Sequence, residues 1–148
     1  MQALSATLQT TFDVELIEIV PRHTRSYLHW LAYSFIPGSE VEIENPRMEL
    51  SEYCGIVLGF PKWTFSCPPV NKFIGGLAGL QVPVLFLLMT CGGFDERIFM
   101  HTLTSKLLAI GCEVAGSLTI KRERIQEESY RALVESFAKR IEERLKFR

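Results

Sequence analysis

Two short segments of this chain hold the residue types best suited to chemistry. One is Gly59-Phe60-Pro61-Lys62-Trp63-Thr64-Phe65-Ser66-Cys67-Pro68-Pro69, which continues the apolar run Cys54 to Gly59. The other is Thr90-Cys91-Gly92-Gly93-Phe94, which follows the apolar run Val82 to Met89. If the two runs are neighbouring parallel strands, both segments leave their carboxyl ends. Loops at that rim frame the crevice where open α/β sheets bind ligands. The Trp offers a broad flat apolar face. Paired glycines let backbone amides approach a ring edge with no Cβ in the way. The combination suits a flat aromatic cofactor better than a sugar, a peptide or a metal.

Other chemistries have less in their favour. Cys54, Cys67, Cys91 and Cys112 lack the close spacing of a zinc knuckle or a redox dithiol. Free thiols in a reducing, cytoplasmic setting are therefore expected. Cys67 precedes the helix start Pro68-Pro69, where the helix dipole would lower a thiol pKa. Cys91 is positioned to face the crevice, although a buried structural Cys is the commoner case. His23, His29 and His101 are scattered, and no nucleophile-His-acid set, metal-spaced cluster or paired acids can be read. A Trp after a buried strand is more often a packing residue than a ligand contact; its glycine- and aromatic-rich context argues for the contact.

The chain has 148 residues, which predicts one domain, 1–148, with a single good core. Its formal net charge of -1 gives no reason to expect nucleic acid or an anionic membrane surface as a partner. The run Val82 to Met89 is far short of the roughly 20 residues that span a bilayer. Lys121-Arg122-Glu123-Arg124 and Lys139 to Arg148 mix both signs, as solvated helix faces and ends do.

The positioning elements follow from hydrophobic periodicity. Gln2 to Phe12 has Leu4, Leu8 and Phe12 at helical spacing. Val14 to Val20 alternates and reads as a strand near a sheet edge, ended by Pro21. Thr24 to Ile36 reads as a helix with Thr24 as N-cap, and its apolar residues exceed one stripe. Tyr27, Trp30 and Tyr33 on it are either covered by the Glu40–Leu50 connection, which contains Asn45-Pro46, or form an interface with a second copy or another protein. Cys54 to Gly59 and Val82 to Thr90 lack polar alternation, as strands covered on both faces do. Between them Pro68 to Leu80 carries Val70, Phe73, Ile74 and Leu77 on one helical face. Its Gly75 and Gly76 weaken the helix, for which close packing on the sheet would compensate. Asp95 to Ile110 is an amphipathic helix stopped by Gly111, Cys112 to Ile120 a last strand, and Glu127 to Leu145 a last helix striped by Tyr130, Leu133, Val134, Phe137, Ile141 and Leu145. Strict alternation of helices and short buried strands predicts an α/β fold, a three-layer α/β/α sandwich around a parallel sheet.

With its two loops quoted above, the chain resembles a flavodoxin from about Gln2 to Leu145. The resemblance implies that FMN is the cofactor and that the chain transfers electrons, as a carrier or a small oxidoreductase. It implies a cofactor contact for Gly59, Pro61, Lys62, Trp63, Thr64 and Phe65 in the first loop, with Trp63 stacked on the ring. In the second it implies Thr90, Cys91, Gly92, Gly93 and Phe94, meeting the pyrimidine edge through backbone amides. The expected partner is a redox protein or a small-molecule electron acceptor. The chain departs from the family at its start: the first strand and the Ser/Thr/Gly-rich phosphate loop have no counterpart here. Ser5 and Thr7 lie inside a helical pattern and do not replace them. The first strand being missing, Val14–Val20 is left to close up on Cys54–Gly59, to detach, or to leave a gap for a second copy; a misplaced gene start is the remaining explanation. The lost phosphate loop also admits a different reading, a cofactor-free flavodoxin-like interaction module.

Overall fold

The computed structural model describes residues 2–23, 25–44, 49–127 and 129–146. Three strands, β1 (Gly55–Pro61), β2 (Val84–Cys91) and β3 (Val114–Lys121), form one parallel sheet in the order β1-β2-β3. Helices lie on both faces, so the architecture is the α/β/α sandwich that the alternation predicts.

β2 is central, and all six residues from Val84 to Met89 are buried. Successive side chains of a strand point to opposite faces. Leu85, Leu87 and Met89 enter one core, with Leu58 of β1 and with the buried faces of α3 (Pro68–Gly76) and α4 (Glu96–Ala109). Val84, Phe86 and Leu88 enter the other, with α1 (Gln2–Leu8) and α6 (Tyr130–Lys146). Continuous apolarity in β2 is thus the signature of two cores sharing one strand. An irregularity in the pairing with β3, between Leu85 and Phe86, skips Ala115. The skipped residue reverses which face β3 presents: Val114 packs into the α3/α4 core, whereas Leu118 and Ile120 pack into the α1/α6 core.

α3 carries the expected stripe, Val70, Phe73, Ile74 and Leu77, all buried. Gly75 and Gly76 are exposed, because the helical turn carries them away from that stripe. A Cβ at Gly75 would meet only the Glu40 carboxylate, so sheet packing is not what these glycines serve. On α6 the buried set is Val134, Phe137, Ala138 and Ile141, with Leu133 left at the surface. Phe137 meets Phe86 edge-on at 6.4 Å.

Three expectations need correction. Val14–Val20 joins no ladder of the sheet. Its end pairs antiparallel with the following connection instead: the Arg22 amide donates to the Glu42 carbonyl at 2.9 Å, and Glu44 returns a bond to Val20 at 2.8 Å. Val14 packs into the α1/α6 core and Ile19 into the α3/α4 core, so the segment crosses from one face of the sheet to the other. Tyr53, just before β1, donates its hydroxyl to Glu15 on this crossing. Second, α2 spans Tyr27–Ser34 and its N-cap is Ser26, whose side chain accepts from the His29 amide. Thr24 lies outside the described residues, as does Asn45-Pro46. Third, Arg122–Gln126 is a separate short helix, α5, on the exit of β3. No helix among the described residues is long and apolar enough to cross a membrane.

Sharing β2 between two cores makes the aromatic pair on its α6 side a sensitive point. Phe137→Ala is expected to lower the unfolding free energy by about 3–5 kcal/mol, and Leu133→Ala on the same helix by about 0.5 kcal/mol or less. Urea denaturation of the two variants reads this directly; equal losses would contradict the assigned helix face.

Candidate functional site

The carboxyl ends of β1 and β2 bring the two loops together. Pro61 stands opposite Thr90 in the ladder, and the Lys62 amide extends it by donating to the Thr90 carbonyl at 2.7 Å. The rim beyond is aromatic: Phe65 meets Phe94 at 6.4 Å and Phe35 at 6.2 Å. The two loops therefore open side by side.

The first loop is held from behind by α2. The Phe65 amide donates to the Ser34 carbonyl at 2.9 Å. The Ser34 and Thr64 hydroxyls are 2.6 Å apart, and Ser34 spends its proton on the Leu31 carbonyl at 2.7 Å, so Thr64 is the donor of the pair. Farther along, the buried Asn71 amide donates to Ser66 Oγ at 2.7 Å and to the Ser39 carbonyl at 2.8 Å. A buried polar network with its bonds made fixes the loop's course. The second loop turns through Gly93 at φ 96 and Asp95 at φ 47, both in the left-handed region. Gly93 takes that conformation without a steric cost, and Asp is among the few other residues that tolerate it. Lys121 at the end of β3 pairs with Glu96 at the start of α4, 3.0 Å apart. Glu96 is held below the usual carboxylate range by its own backbone amide and then by Lys121, and Lys121 is raised by the same pair.

Between the loops lies a cavity of about 310 Å³ lined by Tyr27, Leu31, Lys62, Trp63, Thr90, Cys91, Gly92, Arg122 and Ile125. Its size is at the lower end of the ~300–1,000 Å³ of small-molecule sites. Five of the expected residues line it: Lys62, Trp63, Thr90, Cys91 and Gly92. Trp63 is half exposed and is braced edge-on by Trp30 at 6.2 Å. Nothing occupies the space where a Cβ on Gly92 would go. The other six stand apart from the lining. Gly59 is within β1 opposite Leu88, below the mouth. Pro61 is exposed at the strand end, and Thr64 is committed to Ser34. Phe65, Gly93 and Phe94 form the exposed rim.

Four lining residues were not anticipated. Tyr27 and Leu31 come from α2, whose surplus apolar residues were the available signal. Arg122 and Ile125 come from α5, and the signal was that the residues after β3 leave the same rim as the other two loops. A larger hollow of about 460 Å³ lies elsewhere, among Arg22, Glu40, Glu42 and Lys72. Its lysine already reaches Glu42 at 3.4 Å and Glu40 at 4.0 Å, so the cavity at the rim is the better candidate.

All four cysteines are free, and only Cys54 is exposed. Burial pushes the Cys67 thiol up to about 11, overriding the bond from the Val70 amide that favours the thiolate. The expected lowering by the helix start is thereby overturned, because desolvation of a thiolate outweighs the end of one short helix. Burial also raises Cys112.

The chain is 37% identical over 102 residues to an uncharacterized protein of Archaeoglobus fulgidus. The match covers 68% of this chain and 65% of the relative, so the chain spans less than two thirds of that protein's length. No family model and no solved structure matches.

At pH 8, Cys54 is expected to react with iodoacetamide well before Cys67 and Cys112, since only thiolates attack. Mass spectrometry of timed samples gives the order, and early labelling of Cys67 would contradict the raised pKa. The sign for stability follows. The folded state holds the Cys67 proton above the pH at which the unfolded chain loses it, so stability falls as pH rises from about 9 towards 11.

Proposed function

We propose that this chain is a flavodoxin-like electron-transfer protein that binds FMN, its ring lying against Trp63 between the two loops. The observation that carries the reading is the union of the Lys62–Trp63 and Thr90–Gly92 segments around one cavity, joined by the Lys62 amide to Thr90 carbonyl bond. When bound there, the flavin supplies one- or two-electron transfer; that chemistry is the cofactor's own.

The residues present fit such a group. Trp63 offers apolar area braced by a second indole, so little side-chain freedom is lost on stacking. Gly92 leaves room for a ring edge to reach the backbone, and Thr90 and Cys91 form the floor. The cavity is lined by two cations and by no carboxylate, which favours an electron-rich or anionic guest. Outside the cavity, Phe35, Phe65 and Phe94 remain exposed in a connected aromatic rim. In this reading the rim is where an electron partner docks, since aromatics are enriched in interface cores. A small oxidoreductase passing electrons to a soluble acceptor would use the same rim as its open side.

That exposed rim also favours a second reading, an interaction module of the same fold that carries no cofactor. The two part on a simple measurement. Under the first, purified protein takes up FMN with visible flavin absorbance and quenched Trp fluorescence. Trp63→Ala then weakens binding at least about tenfold, within the ~1–3 kcal/mol that stacking on an aromatic contributes. Colourless protein that FMN neither quenches nor reconstitutes removes the electron-transfer reading and leaves the module.

A further inference from the structure

We infer that Arg122 and Lys62 hold the anionic group of the ligand, on the side of the cavity where β3 ends. The inference rests on the flavin reading above and adds to it a site for the phosphate.

Lys62 is only 7% exposed. Among the described residues it has no carboxylate partner; its ammonium lies over the Phe94 ring at 5.6 Å and the Phe99 ring at 5.7 Å. A lysine that buried is ordinarily paired. Ring faces offset part of the lost hydration, but they are weaker partners than an anion. Arg122 lines the same cavity and also lacks an acidic partner among the described residues. Its neighbour Lys121 is paired with Glu96, which leaves Arg122 as the cation of that strand end that lines the cavity. The chain has 17 acids against 16 bases, yet the cavity has two bases and no acid.

The two cations that line the cavity are of different kinds. The guanidinium is a planar fork that matches phosphate oxygens in pairs, and the ammonium is a point charge in a poorly hydrated wall. In its poorly hydrated surroundings the buried ammonium gains more from a phosphate than it would in water. The N-terminal helix cannot do this work: Leu4 and Leu8 tie α1 to α6 in the opposite core, with Phe86 and Phe137. The site therefore selects the phosphorylated form of a planar aromatic over the neutral form.

The test titrates FMN and riboflavin into the wild-type protein and Arg122→Gln, by Trp fluorescence and visible absorbance, with circular dichroism checking the fold. Arg122 is exposed, so the substitution is expected to leave the melting curve unchanged. Wild type should bind FMN about 10–100-fold more tightly than riboflavin, the range of a hydrogen bond to a charged group. Arg122→Gln should lose most of that preference while leaving riboflavin binding unchanged. Inorganic phosphate should compete with FMN and not with riboflavin, and added salt should weaken FMN more. Equal binding of FMN and riboflavin by wild type, or a preference that survives Arg122→Gln, overturns this inference and leaves the flavin reading standing. Failure of both flavins to bind overturns the two together.

Discussion

β2 has no solvent-facing side, and the rest of the molecule follows from that. Six consecutive buried side chains, alternating between two cores, must be covered from above and below. α3 and α4, in the connections from β1 to β2 and from β2 to β3, cover one face, and α1 and α6, before and after the three strands, cover the other. Shifting β2 by one residue would exchange the two sets, placing Phe86 where Leu85 and Leu87 now fit. Register is strongly specified wherever both faces are buried. That fixed register is what brings Pro61 opposite Thr90, and hence the two loops to one rim.

The sequence showed β1 and β2 clearly because their runs lack polar alternation, and β2 is the strand buried on both faces. It showed α3 and α6 for the complementary reason, a single apolar stripe. It misled at Val14–Val20, where alternation has another cause. Val14 and Ile19 are five residues apart, so in an extended chain they point to opposite sides. Here each enters a different core as the segment crosses the sheet, which needs side-chain alternation but no ladder. Periodicity reports which way side chains point, and a backbone partner is a separate matter that it does not report.

At the cavity the residues legible beforehand were those attached to β1 and β2. Lys62, Trp63, Thr90, Cys91 and Gly92 were named through the flavodoxin resemblance, and they line the cavity because they stand at the ends of β1 and β2. The same resemblance named Gly59, Thr64 and Phe65, but a loop turns its residues in different directions. Thr64 turns back to Ser34, Phe65 turns out, and Gly59 never leaves the strand. Arg122 went unread because Lys121 to Arg124 mixes charges like an ordinary solvated face. What separates Arg122 from Lys121 is pairing, which composition cannot express: Lys121 reaches Glu96, and Arg122 lines the cavity.

Pairing also explains how a chain of net charge -1 presents a cationic hollow. Long-range fields from its surface charges are screened within about a Debye length, ~8–10 Å. Inside the cavity mouth the nearby groups dominate, and the nearest carboxylate on the second loop's helix, Glu96, is already bound to Lys121. Lys121 thus spends its charge on Glu96 and does not line the cavity, whereas Lys62 and Arg122 do. The salt bridge is surface-exposed and contributes little to stability. Its consequence is local: of the two adjacent cations where β3 ends, Lys121 is occupied and Arg122 is left to the cavity.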